Sequence, residues 1–182
     1  MAQKLAIFFL LFLLVVFQIS VLPGIFPENS APNILLVMLV FWTARKGMEK
    51  TWKLAILGGL LSDLFLFVPA GVNVFSFFAA IMAVNYLAKR FLVTHQAWRF
   101  AILFVLVAAG TVTNELALML VAKILFIFQK ISINIQPFVD WALAYKIINS
   151  LIIFAILYWP FKKIEAIFNL YGSRTDPKSN VR

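Results

Sequence analysis

This sequence predicts an all-α integral membrane protein, with six transmembrane helices in one domain over residues 1–171 and both termini in the cytoplasm. Of the 182 residues, 64% are hydrophobic and 13% are charged, whereas soluble globular proteins have about 45–50% apolar and about 25% charged residues. The mean hydropathy is +0.99, and apolar runs long enough for membrane helices recur along the chain. A soluble fold could not bury so much apolar surface.

The first predicted span covers residues 5–22, between Lys4 and Pro23-Gly24. A basic residue before an apolar run is typical of a signal peptide, but no small-residue cleavage site follows. We therefore expect a retained signal-anchor helix, with residues 23–31 forming a loop that is rich in turn-forming residues.

The second predicted span, 32–44, is short. Ser30 is the expected N-cap, Pro32 lies in the first turn, and Arg45-Lys46-Gly47 ends the helix. Thirteen residues rise only about 20 Å, less than the ~30 Å of a bilayer core. A short helix beside full-length ones predicts a recess on the flank of the bundle, where a partner helix could bind.

Spans three and four, 52–68 and 72–88, are separated by Pro69-Ala70-Gly71 alone. Such a short connection predicts an antiparallel helical hairpin. Span five, 98–122, is longer than a bilayer requires, so it is expected to tilt or to continue along the membrane surface.

The last part of the chain contains four predicted segments. Residues 123–139 are expected to lie at the membrane surface, and span six covers residues 141–161. An amphipathic extension over 161–171 and a disordered tail over 172–182 follow, both in the cytoplasm.

Basic residues fix the predicted orientation. With six spans, 13 of the 16 lysines and arginines fall on one side, and only Lys123, Lys130 and Lys146 fall on the other. The positive-inside rule makes the basic side cytoplasmic. Topology and contact with anionic membrane lipids then explain most of the net charge of +9, so we expect no nucleic-acid partner.

The inventory of catalytic residue types is nearly empty. The chain has no cysteine and one histidine, His95, which excludes cysteine-based zinc sites, thiolate nucleophiles and paired imidazole ligands. No glycine-rich phosphate loop or nucleophile–histidine pair is present. We expect no enzyme activity, no metal and no cofactor.

Asp63 and Glu115 are the acidic residues inside predicted spans, where an unpaired charge costs ~2.5–3.5 kcal/mol near the centre. One interpretation is a proton or cation site. A second is an internal hydrogen-bonding role, with Asn114, Asn73 or Ser62 as donors. The third is an acid that faces a polar group of a partner subunit.

Gly58, Gly59 and Ser62 place small residues at helical spacing on span three. Such a face lets another helix approach closely. It serves either packing within the monomer or docking of another protein's helix.

Short patterns along the chain resemble those of a known family. The first pattern is Pro32-Asn33, followed by the leucine-rich run 34–36 and then by Phe41-Trp42. The second is Gly58 or Gly59, followed by Leu60-Leu61-Ser62-Asp63-Leu64 and the turn that ends in Gly71. The third is Asn149 with Trp159-Pro160. In their order, and in the length and topology of the chain, they are similar to the rod shape-determining protein MreD family. Pro69-Ala70 departs from the small, polar turn that is usual there.

The resemblance implies a non-enzymatic scaffold of the cell-elongation machinery in the bacterial inner membrane. Its implied partners are MreC and, with it, RodA, the partner transpeptidase of RodA, and MreB filaments, in lateral peptidoglycan synthesis. The candidate residues for partner binding or helix packing are Pro32, Asn33, Trp42, Gly58, Gly59, Asp63, Gly71, Asn73, Glu115 and Asn149.

Two other function classes stay open from the sequence. Substrate-binding subunits of energy-coupling-factor vitamin transporters have a similar size and topology and a fold that looks related, but they usually carry an Ala-x-x-x-Ala face in span one, where this chain has only Ala6. A proton-coupled channel or transporter using Asp63 and Glu115 would need a continuous polar path, and few polar residues share their helical faces.

Overall fold

A computed structural model of the chain describes residues 2–26, 30–94, 99–129 and 141–173, and these residues are helical apart from short connections. The helices are α1 (Ala2–Ser20), α2 (Leu22–Ile25), α3 (Ile34–Lys46), α4 (Met48–Leu66), α5 (Val72–Thr94), α6 (Arg99–Gln129) and α7 (Trp141–Ser173). The all-α prediction is therefore confirmed for the described part of the chain.

Four stretches of the described helices are long and apolar enough to cross a membrane. They are Phe8–Ile25, Val72–Phe91, Phe100–Leu125 and Leu143–Lys163. By the same measure of length and composition, α3 and α4 are not among them. The protein is thus a membrane protein, while the count of six crossings stays a prediction.

Helix α3 lies at the centre of the bundle. Every residue from Ile34 to Thr43 is buried, and α3 contacts α1, α4, α5, α6 and α7. A helix that is apolar on all sides is stable when other helices surround it. The predicted recess beside this short helix is therefore wrong, because its neighbours cover its whole circumference.

Helices α4 and α5 run in opposite directions. In the hairpin of α4 and α5, the Met48 amide at the start of α4 donates to Asn85 Oδ1 in the second half of α5, at 3.3 Å. The predicted hairpin is confirmed. The bundle thus has a basic end, with Arg45, Lys53, Lys89 and Lys162, and an opposite turn end, with Asn33 and the α4–α5 turn.

An aromatic cluster joins α3, α6 and α7 near the basic end. Ring centroids lie 5.8 Å apart for Phe41 and Phe161, 5.1 Å for Phe100 and Tyr158, and 5.2 Å for Phe104 and Phe154. Offset and edge contacts at these distances add to the free energy gained by burial. The cluster fixes α7 to the bundle at this end.

Several predicted boundaries are wrong. Pro23 and Gly24 lie in the short helix α2 rather than in a loop, since proline fits the first helical turn. Helix α6 continues through 123–129, because no glycine or proline interrupts it there. The prediction for residues 130–139 lies outside the described residues.

Helix α7 passes through Pro160 and ends at Ser173, so span six and the extension over 161–171 form one helix. Phe161, directly after the proline, is 2% exposed and packs on Phe41, which anchors the helix where the proline removes a hydrogen bond. The amphipathic face beyond 163 and the tail over 174–182 lie outside what the structure describes.

Candidate functional site

Asp63 is the best-connected polar side chain of the turn end. It lies in the last turn of α4 and is 3% exposed. Its Oδ2 accepts from the Gly71 amide at 2.7 Å, and its Oδ1 accepts from the Asn73 amide and from Asn73 Nδ2, both at 2.9 Å. The carboxylate thus joins the end of α4 to the start of α5.

The backbone carbonyl of Asp63 also receives hydrogen bonds from the turn. The Phe67 amide donates to it, and so does the Val68 amide, at 3.3 Å. We call Asp63, Asn73 and the backbone of 67–71 the Asp63 cluster. It holds Phe67 and Gly71 at positive φ angles of 52° and 104°.

Charge also favours this arrangement. The first amides of a helix point toward its N-terminus and carry the positive end of the helix dipole, so a carboxylate is stabilised there. Asp63 occupies this position relative to α5. Of the three donors considered from the sequence, Asn73 is the one that binds Asp63.

The other two considered donors do not bind Asp63. Ser62 and Asn114 are 2% and 1% exposed, yet Ser62 Oγ and Asn114 Oδ1 have no hydrogen-bond partner within the described part of the chain. An unsatisfied buried polar atom costs free energy. These two side chains do not belong to the Asp63 cluster.

Glu115 pairs with a lysine of the neighbouring helix. Its Oε1 lies 2.7 Å from Lys146 Nζ in α7, and the two side chains are 20% and 23% exposed. Because the residues are 31 positions apart, no local sequence pattern predicts this pair. The ion pair compensates the cost of a carboxylate in an apolar helix.

Asn33 and Asn149 make structural contacts near the start of α3. Asn33 is the N-cap, and its Oδ1 accepts from the Leu36 amide at 2.9 Å. The prediction that Ser30 is the N-cap is therefore wrong. Pro32 precedes the helix instead of lying in its first turn. Asn149 Nδ2 in α7 donates to the Ser30 carbonyl at 2.9 Å.

The two glycines of α4 face other helices at very short range. A Cβ built on Gly59 would lie 2.6 Å from Val74 Cα in α5, and one on Gly58 would lie 2.8 Å from Leu35 Cδ2 in α3. Both glycines are buried. The geometry therefore favours packing within the monomer over docking of another protein at this face.

Trp42 lies apart from the Asp63 cluster, near the basic end of α3. It is 3% exposed, and Lys46 Nζ lies 5.8 Å from its ring centroid. The candidate residues thus form separate groups: the Asp63 cluster with Gly71, the glycine contacts, the α3 cap, the Glu115–Lys146 pair and Trp42. Among the described residues, no group of three acidic or histidine side chains could hold a metal ion.

Comparison with known proteins gives one result. The model of the family described as rod shape-determining protein MreD matches residues 2–164. No curated protein matches the chain, and no solved structure matches it either, so the expected likeness to transporter subunits stays a prediction. The family is a shape-determining, structural one and not a known enzyme family. Because the match covers most of the sequence, this chain belongs to the MreD family and has a role in rod shape determination.

Proposed function

We propose that this protein is a multi-pass scaffold of the bacterial inner membrane that binds MreC and helps to couple MreB filaments to RodA and its transpeptidase during lateral wall synthesis. The observation that carries the proposal is the use of both intramembrane acids in contacts within the chain. Asp63 holds the α4–α5 turn, and Glu115 is paired with Lys146. Such residues stabilise a bundle that acts by binding.

The proposed topology has six crossings, with the 13-residue α3 and the less apolar α4 as two of them and both termini in the cytoplasm. Its support is the separation of charge: the basic end gathers residues from α3, α4, α5 and α7, including Arg45, Lys53, Lys89 and Lys162. Lysines and arginines concentrate on the cytoplasmic side of membrane proteins.

Reporter fusions test this topology. Fusions after Lys50, Gln96 and Arg182 should report the cytoplasm, and fusions near Asn29 and Asn134 should report the outside. A cytoplasmic signal at Asn134 would contradict the six-crossing arrangement, whatever the partner is.

The partner surface is expected on α7, since the glycine face of α4 is occupied. Only 11% of the candidate span in α7 is buried, against 44% in α5. Its exposed residues follow helical spacing over most of the helix: Trp141, Tyr145, Ile148, Ile152, Ile156 and Trp159. We call these six residues the α7 stripe.

The Glu115–Lys146 pair supports a protein partner at the α7 stripe. Lys146 adjoins Tyr145 in sequence, and both charged side chains are about one-fifth exposed. Partly exposed charges on an apolar helix surface are costly against lipid. A partner helix that offers a polar group would cover them and bury the isoleucines beside them.

Co-purification of MreC tests the surface. We expect the double substitution Ile148→Ala and Ile152→Ala to reduce recovered MreC about tenfold or more, because it removes apolar contact area, while the membrane level of the protein is unchanged. The matched control is Leu13→Ala with Phe17→Ala in α1, whose side chains are also exposed. Loss of MreC with the α1 pair alone would place the partner on α1 and contradict the proposal.

A further inference from the structure

The α4–α5 turn lies about one bilayer-core thickness from the basic end. Phe67 is fourteen positions after Lys53, and Lys89 is seventeen positions after Val72. At the rise of an α-helix, these arms are about 21 Å and about 25 Å long, against a hydrocarbon core of ~30 Å, and lysine side chains can extend from within the core to its surface. Both arms therefore place the turn at the far edge of the core.

Five of the six backbone amides from Phe67 to Asn73 have acceptors within the chain. Phe67 and Val68 donate to the Asp63 carbonyl, Gly71 and Asn73 donate to its carboxylate, and Val72 donates to the Pro69 carbonyl. Residue 69 is proline and has no amide hydrogen. Backbone amides that are satisfied without water enter the edge of a bilayer at lower cost.

The side chains at the tip are apolar and project away from the protein. Leu64, Leu66 and Phe67 are 70%, 48% and 95% exposed, and no charged residue occurs from 64 to 88. A water-exposed turn of a membrane protein is ordinarily polar. This one has the surface of a lipid-facing segment.

Phe67 strengthens this argument, because its backbone conformation is unfavourable for its residue type. It has the left-handed conformation, which glycine and asparagine adopt most easily. Its side chain is almost fully exposed, so packing within the chain does not compensate the cost. A contact outside the chain explains why a large aromatic residue stands there.

We propose that the tip of the α4–α5 hairpin is immersed in the outer leaflet of the membrane, with Phe67 and Leu64 in contact with lipid. The Asp63 cluster favours this immersion because Asp63 accepts hydrogen bonds from four amides of the turn. The proposal rests on the membrane orientation proposed above. It assigns the tip a lipid surface as its partner, separate from the α7 stripe.

Single cysteines test the proposal, and the chain has no native cysteine to interfere. Phe67→Cys and, separately, Leu64→Cys are reconstituted in phosphatidylglycerol–phosphatidylethanolamine vesicles. Their reaction rates with a sulfonated maleimide and with neutral N-ethylmaleimide are then compared. The control is Lys123→Cys, an exposed position toward the turn end of α6.

We expect the ratio of the charged-reagent rate to the neutral-reagent rate to be at least about tenfold lower at 67 and 64 than at 123, since a charge enters the bilayer at high cost. Equal ratios at all three positions would overturn the proposal. Because both exposed positions are tested, one poorly folded variant does not decide the result.

A wrong membrane orientation can be distinguished from a tip that does not contact lipid. In intact spheroplasts, the sulfonated maleimide should label Lys123→Cys from outside. If it labels this cysteine only after permeabilisation, the proposed topology is wrong. The rate ratio in vesicles that are open to reagent on both sides still reports whether the tip lies in lipid.

Discussion

Helices α3 and α7 are both strongly apolar, yet they have opposite environments. In α3, ten consecutive residues from Ile34 to Thr43 are buried, whereas α7 leaves the α7 stripe exposed along most of its length. Hydropathy alone does not distinguish them. Length and context do: α3 is 13 residues long and is surrounded by five helices, while α7 has 33 residues and contacts the bundle on one side.

The difference shows how the molecule separates stability from binding. Around α3 and the α4–α5 hairpin, polar side chains bind backbone amides, as Asn33 and Asp63 do, and glycines permit close helix contacts. Along α7, the exposed surface is apolar with aromatic ends, and one ion pair lies beside it. Substitutions in the first region should change folding, and substitutions in the second should change association.

The largest effect on folding is expected for Gly59→Leu. A side chain at this position meets the Val74 backbone at 2.6 Å, which cannot move aside as a flexible side chain can. Overpacking costs about 1–3 kcal/mol even where side chains adjust, so we expect almost complete loss of folded protein in the membrane. Fluorescence-detected size exclusion of a fusion protein measures it.

Gly24→Leu is the matched control, because no atom lies within 4 Å of a Cβ built on Gly24. It should leave the amount of folded protein near that of the parent. A Gly59→Leu protein that folds normally but no longer co-purifies MreC would show instead that this face of α4 binds the partner. It would contradict the assignment of folding to this region and of binding to α7.

A smaller effect is expected at Asp63. Asp63→Leu leaves the part-buried amide of Gly71 and the buried amide of Asn73 without acceptors, at a cost of about 1–3 kcal/mol for each unsatisfied group. Asp63→Asn keeps one acceptor oxygen and should lose less. Thermal unfolding in detergent should rank the parent above the asparagine variant and the leucine variant last, and a reversed order of the two variants would contradict the hydrogen-bonding role.

The smallest effect is expected for the Glu115–Lys146 pair. Its side chains are partly exposed, so each single change, Glu115→Gln or Lys146→Met, should lower the free energy of unfolding by about 1 kcal/mol. Removing one charge leaves the other unpaired in an apolar surface. The double variant should therefore lose less free energy of unfolding than the two single variants lose in sum. A double-mutant cycle by chemical denaturation measures the coupling, and strict additivity would show that the pair contributes nothing.

Local patterns predicted the hairpin well. Pro69-Ala70-Gly71 is a strong turn signal, and the short connection requires neighbouring antiparallel helices, so Asp63 and Asn73 had to lie close together. The helical continuation beyond residue 122 was missed because polar residues such as Lys123 look like the end of a span, although α6 has no helix breaker there.

Contacts between distant residues could not be predicted in the same way. Counting spans assigns Lys146 to the outer end of span six, and nothing in the local sequence indicates that Glu115 faces it. The central position of α3 did have a signal, its lack of any polar face from Ile34 to Phe41, which is typical of a fully buried helix. A buried central helix and a short span at the edge of the bundle have the same local sequence pattern. Only the number of helices packed around α3 distinguishes the two.

The intramembrane carboxylates Asp63 and Glu115 hold the bundle together, while the protein acts by binding. Cell shape in a strain that depends on Asp63→Asn tests it most directly, with the amount of folded protein matched to the parent by induction. We predict rod-shaped cells, because asparagine keeps a hydrogen-bonding oxygen without the charge. Round cells at a normal level of folded protein would show that the charge itself is required, and would favour an ion-coupled function over a scaffold.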